Sequence, residues 1–383
     1  MIRVKPKRVI HIHAGLPKTG SSAIQRFLVA NRAALGGRGL LIPEAGLGER
    51  GDHHDWMFRL GGLDWWDRRR AVSELVADLE ARPEEEILIS SEFAYLMMRF
   101  GFARHGYRIL QGKGFALKFH LFLRPQTDFA VSAHPEFLRN LLVERAFPRF
   151  VETNFLPFAR DYGEIVRRLE RVSGEPVSVL PYAKAARGEG VWWSLLASTG
   201  LDVPAPDRAG FEAPGEVNPS LGPVGVMALT STLRRIDRRA MMTRWGLRRA
   251  VRLAVLRVTG NFPPEAERYN PMTPGQRAAL WEACRDCNEG VARDAWNRPW
   301  DEVFAAEKAA APRRLVYLRG RDDEDSPAAR LHDRLARRLF RKIRQKTQEV
   351  AAKRAQGIRL RQIIGSPVDR MADRAMRMIV RGW

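Results

Sequence analysis

The chain has 383 residues, 45% of them hydrophobic, a net charge of +21 and two cysteines, Cys284 and Cys287. It holds enough apolar material for one large or two smaller cored domains. So few cysteines exclude a disulfide framework and point to a reducing, cytoplasmic setting. No run of about 18 apolar residues occurs, and the apolar stretch after the basic N-terminus is too short for a secretory signal, so neither a membrane span nor export is expected.

In chain order, Arg8–His13 (RVIHIH) reads as a strand, and a helical pattern runs from Ser22 to about Leu35. Between them lies the small-residue loop GLPKTGSS, Gly15 to Ser22. A short apolar piece, LLIP, stands at 40–43. A helical pattern over about Arg68–Ala81 leads to the strand EILIS (86–90). ALKFHLFL (116–123) predicts another strand, followed by a helix from about Asp128 to Glu144, and PVSVLPY (176–182) a further strand. Strands alternating with helices predict an α/β fold, with a parallel sheet covered on both faces and ligands at the strands' carboxyl ends. From about Leu221 the chain reads as helices and loops, including Thr273–Trp296. After the acidic run DDED at 322–325 it reads as a basic helical tail. These breaks predict one domain over 1–320 and a helical extension over 321–383.

A strand feeding a tight loop at a helix start is an anion site, because free N–H groups and the helix dipole face the ligand. Here one lysine, Lys18, adds a full charge. The spacing is not that of the nucleotide-triphosphatase loop GxxxxGK[ST]: Gly15 stands three positions before Lys18, and Gly20 follows it.

GLPKTGSS instead resembles the phosphosulfate loop of bacterial sulfotransferases, which move a sulfuryl group from 3′-phosphoadenosine 5′-phosphosulfate (PAPS) to an acceptor. Gln25 and Asn31–Arg32 are similar to those members too. A second match follows the strand at 116–123, where RPQTDFAVS sets Arg124 eight residues before Ser132. A guanidinium fork at a strand end suits a phosphate. The resemblance implies that Arg124 and Ser132 hold the nucleotide's 3′-phosphate. It also implies that Pro17, Lys18, Thr19, Gly20, Ser21 and Ser22 cradle the 5′-phosphosulfate, with Lys18 stabilising the leaving oxygen. The implied fold is a P-loop-like three-layer α/β/α core, PAPS is the implied co-substrate, and no metal is implied. Asn218–Pro–Ser220 and the stretch 273–293 extend the resemblance over about residues 8–306. The glycine-rich nucleotide loop of the animal cytosolic enzymes is missing.

The reaction also needs a base. Glu92, two residues past the strand at 86–90, is the first candidate, and its plainer role is a helix-start carboxylate. His53, His54 and Asp55 follow, with His54 the second candidate and a solvated loop the plainer reading. His11 and His13 alternate along the first strand and read as structural residues, although His13, just before the loop, is also placed to touch a ligand. Cys284 and Cys287 form a lone CxxC in a helical pattern, with no second pair for zinc.

Nearly all the net charge lies in two segments: 233–259 has nine arginines and one aspartate, and 328–383 has sixteen basic and four acidic residues. Ile236, Met241, Trp245, Leu253 and Leu256 in the first, and Leu331, Leu335, Leu339, Phe340 and Ile343 in the second, recur at helical spacing. Such helices suit an anionic membrane surface, here the inner face, or an acidic acceptor such as a polysaccharide or glycolipid. They suit equally an apolar face packed on the body. Nucleic acid fits less well, since stacking aromatics are scarce. Two competing functions remain at this level: a nucleoside-triphosphate phosphotransferase, and a non-catalytic membrane-surface or polyanion-binding protein on the same scaffold.

Overall fold

Five parallel strands form one sheet in the order β2-β3-β1-β4-β5: β1 (Arg8–His13), β2 (Leu40–Leu41), β3 (Glu86–Ser90), β4 (Phe115–Leu123) and β5 (Ser178–Pro181). The computed structural model describes residues 8–49, 51–61, 65–80, 86–95, 104–143, 146–215, 221–236, 245–265, 268–310 and 327–356. Asn218–Pro–Ser220, the acidic run at 322–325 and the last part of the basic tail lie outside these residues.

The strands stand within a residue or two of the bounds expected from sequence, because strands buried on both faces read as β-branched and apolar runs. β1 is central, pairing with β3 (Ile12↔Ile89) and β4 (Ile12↔Phe119). The helix Ser21–Ala30 lays Ile24, Phe27 and Leu28 on one face of the sheet. There they join Leu88, Phe122 and, from the helix Val191–Ser198, Val191, Leu195 and Leu196 in one buried cluster. Helices Arg104–Gly112 and Tyr162–Ser173 cover the other face, with Tyr107 edge-on to Phe119. The core is therefore a three-layer α/β/α arrangement, and from Leu221 onward every regular segment longer than a single bridge residue is a helix among the described residues.

Two expected helices are each divided. The pattern from Ser22 breaks at Asn31, whose side-chain amide donates to the carbonyls of Phe27 and Glu212, and resumes over Arg32–Gly36. Asn31 competes with the helical ladder, as short amides do. Arg32 bonds the Ile42 carbonyl and Glu44, so both residues tie the helix end to its surroundings. The second pattern divides at Cys284, between Pro274–Ala283 and Arg285–Trp296. Cys284 is buried and Cys287 half-buried.

Contacts group the chain into two units: Met1–Pro125, Asp161–Val217 and Cys284–Ala310 form the first, and Gln126–Arg160, Asn218–Ala283 and Ala311–Trp383 the second. The first holds the sheet. The second is built from helices including Gln126–Arg139, Pro223–Arg234, Trp245–Thr259 and the 29-residue Pro327–Ala355.

That long helix buries Leu335, Leu339, Ile343 and Val350 at helical spacing against Pro223–Arg234 and Trp245–Thr259. Its apolar stripe is thus used inside the unit. Phe340, counted with the stripe in sequence, is 42% exposed. In Trp245–Thr259 Arg248, Ala250, Val251, Val255, Val258 and Thr259 are buried, while Leu253 is 49% exposed. Of the residues counted at helical spacing in sequence, Ile236 and Leu256 are half-buried and Leu253 lies on the exposed side. The side chains of Met241 and Trp245 lie outside the described residues.

Candidate functional site

In the first unit the chain turns after β1 at the point where strand order reverses. The connection from β1 leads toward β2 and β3, whereas that from β4 leads to β5. In open parallel sheets ligands bind outside the strand ends at such a reversal. The loop Gly15–Ser22 stands there after β1, and Arg124 stands there after β4. The Arg124 guanidinium Nη1 donates to the Lys18 carbonyl at 2.7 Å, so the two phosphate candidates of the first unit are joined. The Tyr162 hydroxyl donates to the Arg124 carbonyl at 2.8 Å and holds the backbone beneath it.

The loop owes its shape to two left-handed residues, Lys18 (φ 69°) and Gly20 (φ 84°). Lys18 is a strained position for a side chain, worth on the order of 1–2 kcal/mol. Gly20 is needed for room as well as for φ. A Cβ there would stand 2.9 Å from the Tyr182 ring and 3.1 Å from Val191. Gly15 is equally closed in, since its Cβ would stand 2.8 Å from the Ser21 hydroxyl and 3.4 Å from the His13 ring.

The hydroxyls divide into three kinds. The Thr19 hydroxyl donates to the Leu16 carbonyl at 2.6 Å and braces the turn, so its contribution to a ligand is its N–H. Ser21 is buried, and its hydroxyl has no hydrogen-bond partner among the described residues. Ser22 is exposed. No side chain caps the helix Ser21–Ala30, and its first turn carries no acid. Its first internal bonds run from the Ala23 and Ile24 N–H groups to the Gly20 carbonyl, which leaves Ser21 and Ser22 ahead of the ladder. An uncapped helix start, a glycine cradle with no space for Cβ and an unsatisfied buried hydroxyl fit a phosphate-type group.

Tyr182 was missed from sequence. It follows β5, and the guanidinium carbons of Arg124 and Arg187 each lie 5.4 Å from its ring centre. Its only sequence signal is its place at the carboxyl end of an expected strand. Arg187 is balanced by the buried Glu307 at 3.1 Å.

On the other side of β1, Ser90 and Ser91 close β3. Ser91 N–H donates to the His13 carbonyl, and the Ser91 hydroxyl bonds His54 Nδ1 at 2.8 Å. Asp52 lies 3.6 Å from the same nitrogen, and the Phe93 ring stands edge-on at 4.6 Å. Glu92 occupies the next turn position, half-buried. The structure thus brings both candidate bases to the end of β3, one directly after Ser91 and one bonded to it. His53, by contrast, is fully buried: its Nε2 bonds the Pro43 carbonyl at 3.1 Å, and burial lowers its pKa to about 4. Its role is to hold the connection. Asp55 opens the helix His54–Leu60, and burial pushes its carboxyl pKa up.

The strand histidines lie in the interior of the sheet. His13 Nδ1 bonds the Ser90 hydroxyl at 2.8 Å, and burial lowers its pKa to about 3. His11 bonds His120 at 2.8 Å, and His120 bonds the Ser198 hydroxyl at 2.7 Å. These imidazoles stay neutral in the interior.

Ser132 stands in the helix Gln126–Arg139 of the second unit, where its hydroxyl donates to the Asp128 and Phe129 carbonyls. Its assignment to a phosphate rests on its spacing from Arg124 alone. Among the described residues no cluster of three or more His, Cys, Asp or Glu could hold a metal ion, and no helix is long and apolar enough to cross a membrane.

No protein-family model matches the chain, and no curated protein does. Among solved structures, it is similar to the crystal structure of a sulfotransferase from Alicyclobacillus acidocaldarius. The identity is 19% and the TM-score 0.35, over 56% of this chain and 87% of that one.

Proposed function

We propose that the first unit binds PAPS through the loop Gly15–Ser22 and Arg124 and transfers its sulfuryl group to an acceptor hydroxyl. The observation that carries the reading is the tie between Arg124 and the Lys18 carbonyl at the sheet's reversal point. It fixes one guanidinium against an uncapped helix start that carries no acid. In this reading the N–H groups of Thr19 to Ser22 receive the 5′-phosphosulfate, and Arg124 faces the 3′-phosphate. Such preorganised donors stabilise charge as it develops on the leaving group. The acceptor oxygen attacks sulfur, the bridging S–O bond breaks toward the phosphate, and Lys18 meets the charge left there. The products are the sulfated acceptor and adenosine 3′,5′-bisphosphate.

The acceptor's proton goes to Glu92 in the preferred assignment, with His54 second. His54 is oriented by Ser91 and Asp52, a pairing that suits a base. The acceptor class proposed is a glycan or glycolipid hydroxyl.

Calorimetry tests the nucleotide assignment. Adenosine 3′,5′-bisphosphate is expected to bind without magnesium and ATP–Mg²⁺ not to bind. Tight ATP–Mg²⁺ binding with none of the bisphosphate would overturn the reading in favour of a phosphotransferase. For the base, Glu92→Gln should keep nucleotide affinity and lose transfer. Full activity in that variant, with loss in His54→Gln, would reassign the role to His54.

A further inference from the structure

The second unit contains a charged groove that the sulfuryl-transfer reading does not use. It lies between the C-terminal end of the helix Pro223–Arg234 and the first half of Pro327–Ala355, with a volume of about 450 Å³. Arg235, Arg337, Arg341 and Arg344 line it. All four are exposed, and none makes an ion pair with a carboxylate among the described residues. Asp333 is the one acid on the lining, and it is engaged by His332 Nδ1 at 2.9 Å. His332 in turn bonds the Ser231 hydroxyl through Nε2 at 3.0 Å, so this pair joins the helices, and among the described residues no carboxylate pairs with the four arginines.

The arrangement is directional. Arg337, Arg341 and Arg344 are spaced four and three residues apart, which puts them on one helical face. At 1.5 Å rise per residue they form a row about 10 Å long. Arg235 approaches from the facing helix, and Phe340 offers its half-exposed ring beside the row. Four guanidiniums around one groove repel each other, and the field is relieved by an anion bridging them. Guanidinium forks match tetrahedral oxyanions with paired hydrogen bonds. The volume is that of a small-molecule site. A bilayer presents a flat surface, and the helix's apolar stripe is already buried against its neighbours, leaving the groove and its arginines as the accessible feature.

We infer that this groove binds a small ligand carrying two or more phosphate or sulfate groups. It is independent of the sulfuryl-transfer reading and stands or falls without it.

Sodium tripolyphosphate titrated into the full chain by calorimetry tests the site, with two double variants of equal charge loss. Arg337→Gln/Arg341→Gln removes groove guanidiniums. Arg338→Gln/Lys342→Gln removes two exposed charges of the same helix that do not line the groove. The buried stripe is untouched in both, and unchanged thermal midpoints check this. The expected result is saturable binding, weakened at least tenfold in the groove variant and less than twofold in the control. Equal weakening in both would reduce the effect to diffuse charge and overturn the site, as would an absence of binding. Sedimentation with phosphatidylcholine vesicles containing phosphatidylglycerol is the second arm. Vesicle binding without tripolyphosphate binding would make the arginines a membrane contact and also overturn the proposal.

Discussion

Lys18 carries two loads that substitution can separate. Its left-handed backbone shapes the loop, and in the proposed reading its ammonium supplies the charge. Asparagine tolerates φ > 0 better than most residues. Lys18→Asn is therefore expected to melt at or slightly above the wild-type temperature while transfer is lost, measured by calorimetric scan and by formation of adenosine 3′,5′-bisphosphate. A large drop in melting temperature would mean that the side chain is structural. Arg124→Ala should weaken bisphosphate affinity by roughly 2–3 kcal/mol, the range for hydrogen bonds to charged groups, and an unchanged affinity would remove it from the site. Gly20→Ala meets both the Tyr182 ring and an unfavourable φ. It should cost on the order of 1–2 kcal/mol of stability, read from the urea midpoint. These candidate positions were partly visible in sequence. The lysine, the glycines and Arg124 stand out by type and order. Tyr182 and Ser91 do not, because an aromatic at a strand end and a serine after one are ordinary until the fold sets them beside Gly20 and His54.

At the scale of elements, the basic helix Pro327–Ala355 shows what periodicity can and cannot say. Its spacing announced an amphipathic helix, and it is one. The partner of the apolar stripe was open between a membrane and the body, since both present apolar surface. Packing on Pro223–Arg234 and Trp245–Thr259 accounts for Leu335, Leu339 and Ile343. Leu339→Ala should then destabilise the second unit by about 2–5 kcal/mol, as buried leucine truncations do. Phe340→Ala, at a half-exposed position, should stay within about 0.5 kcal/mol. Urea unfolding followed by circular dichroism distinguishes them, and equal effects would contradict the assigned face. The break at Asn31 belongs to the same scale: hydrophobic spacing continues through it, while one amide diverts the backbone.

For the molecule as a whole, buried neutral histidines contribute to the acid response. Burial lowers His11 and His53 to about 4 and His13 to about 3, and holds His120 well below its ordinary value; Lys118 adds to the effect on His11, and His11 and Lys118 add to that on His120. An unfolded histidine titrates near 6.5, so below that pH the unfolded chain binds protons that the folded chain refuses. The stabilisation is complete above about pH 6.5 and is lost as pH falls toward 4. The slope is up to about 1.4 kcal/mol per pH unit for each group. Unfolding at pH 5 should take up roughly four protons from these residues, measurable by calorimetry in buffers of different ionisation enthalpy. Uptake near zero would mean that the four are charged in the fold.

Local chemistry determined the parallel sheet, its strand bounds and the tight loop at a helix start, because β-branched runs and glycine spacing act over a few residues. It also announced the charge of the basic segments. Only the tertiary structure decided what each of these meets. It joined Arg124 to Lys18 across more than a hundred residues of chain, gave His54 to Ser91 and His53 to the interior, and turned the apolar stripe inward so that arginines line a groove. Those outcomes depend on which surfaces touch, and contact between residues distant in sequence leaves no period in the chain to read.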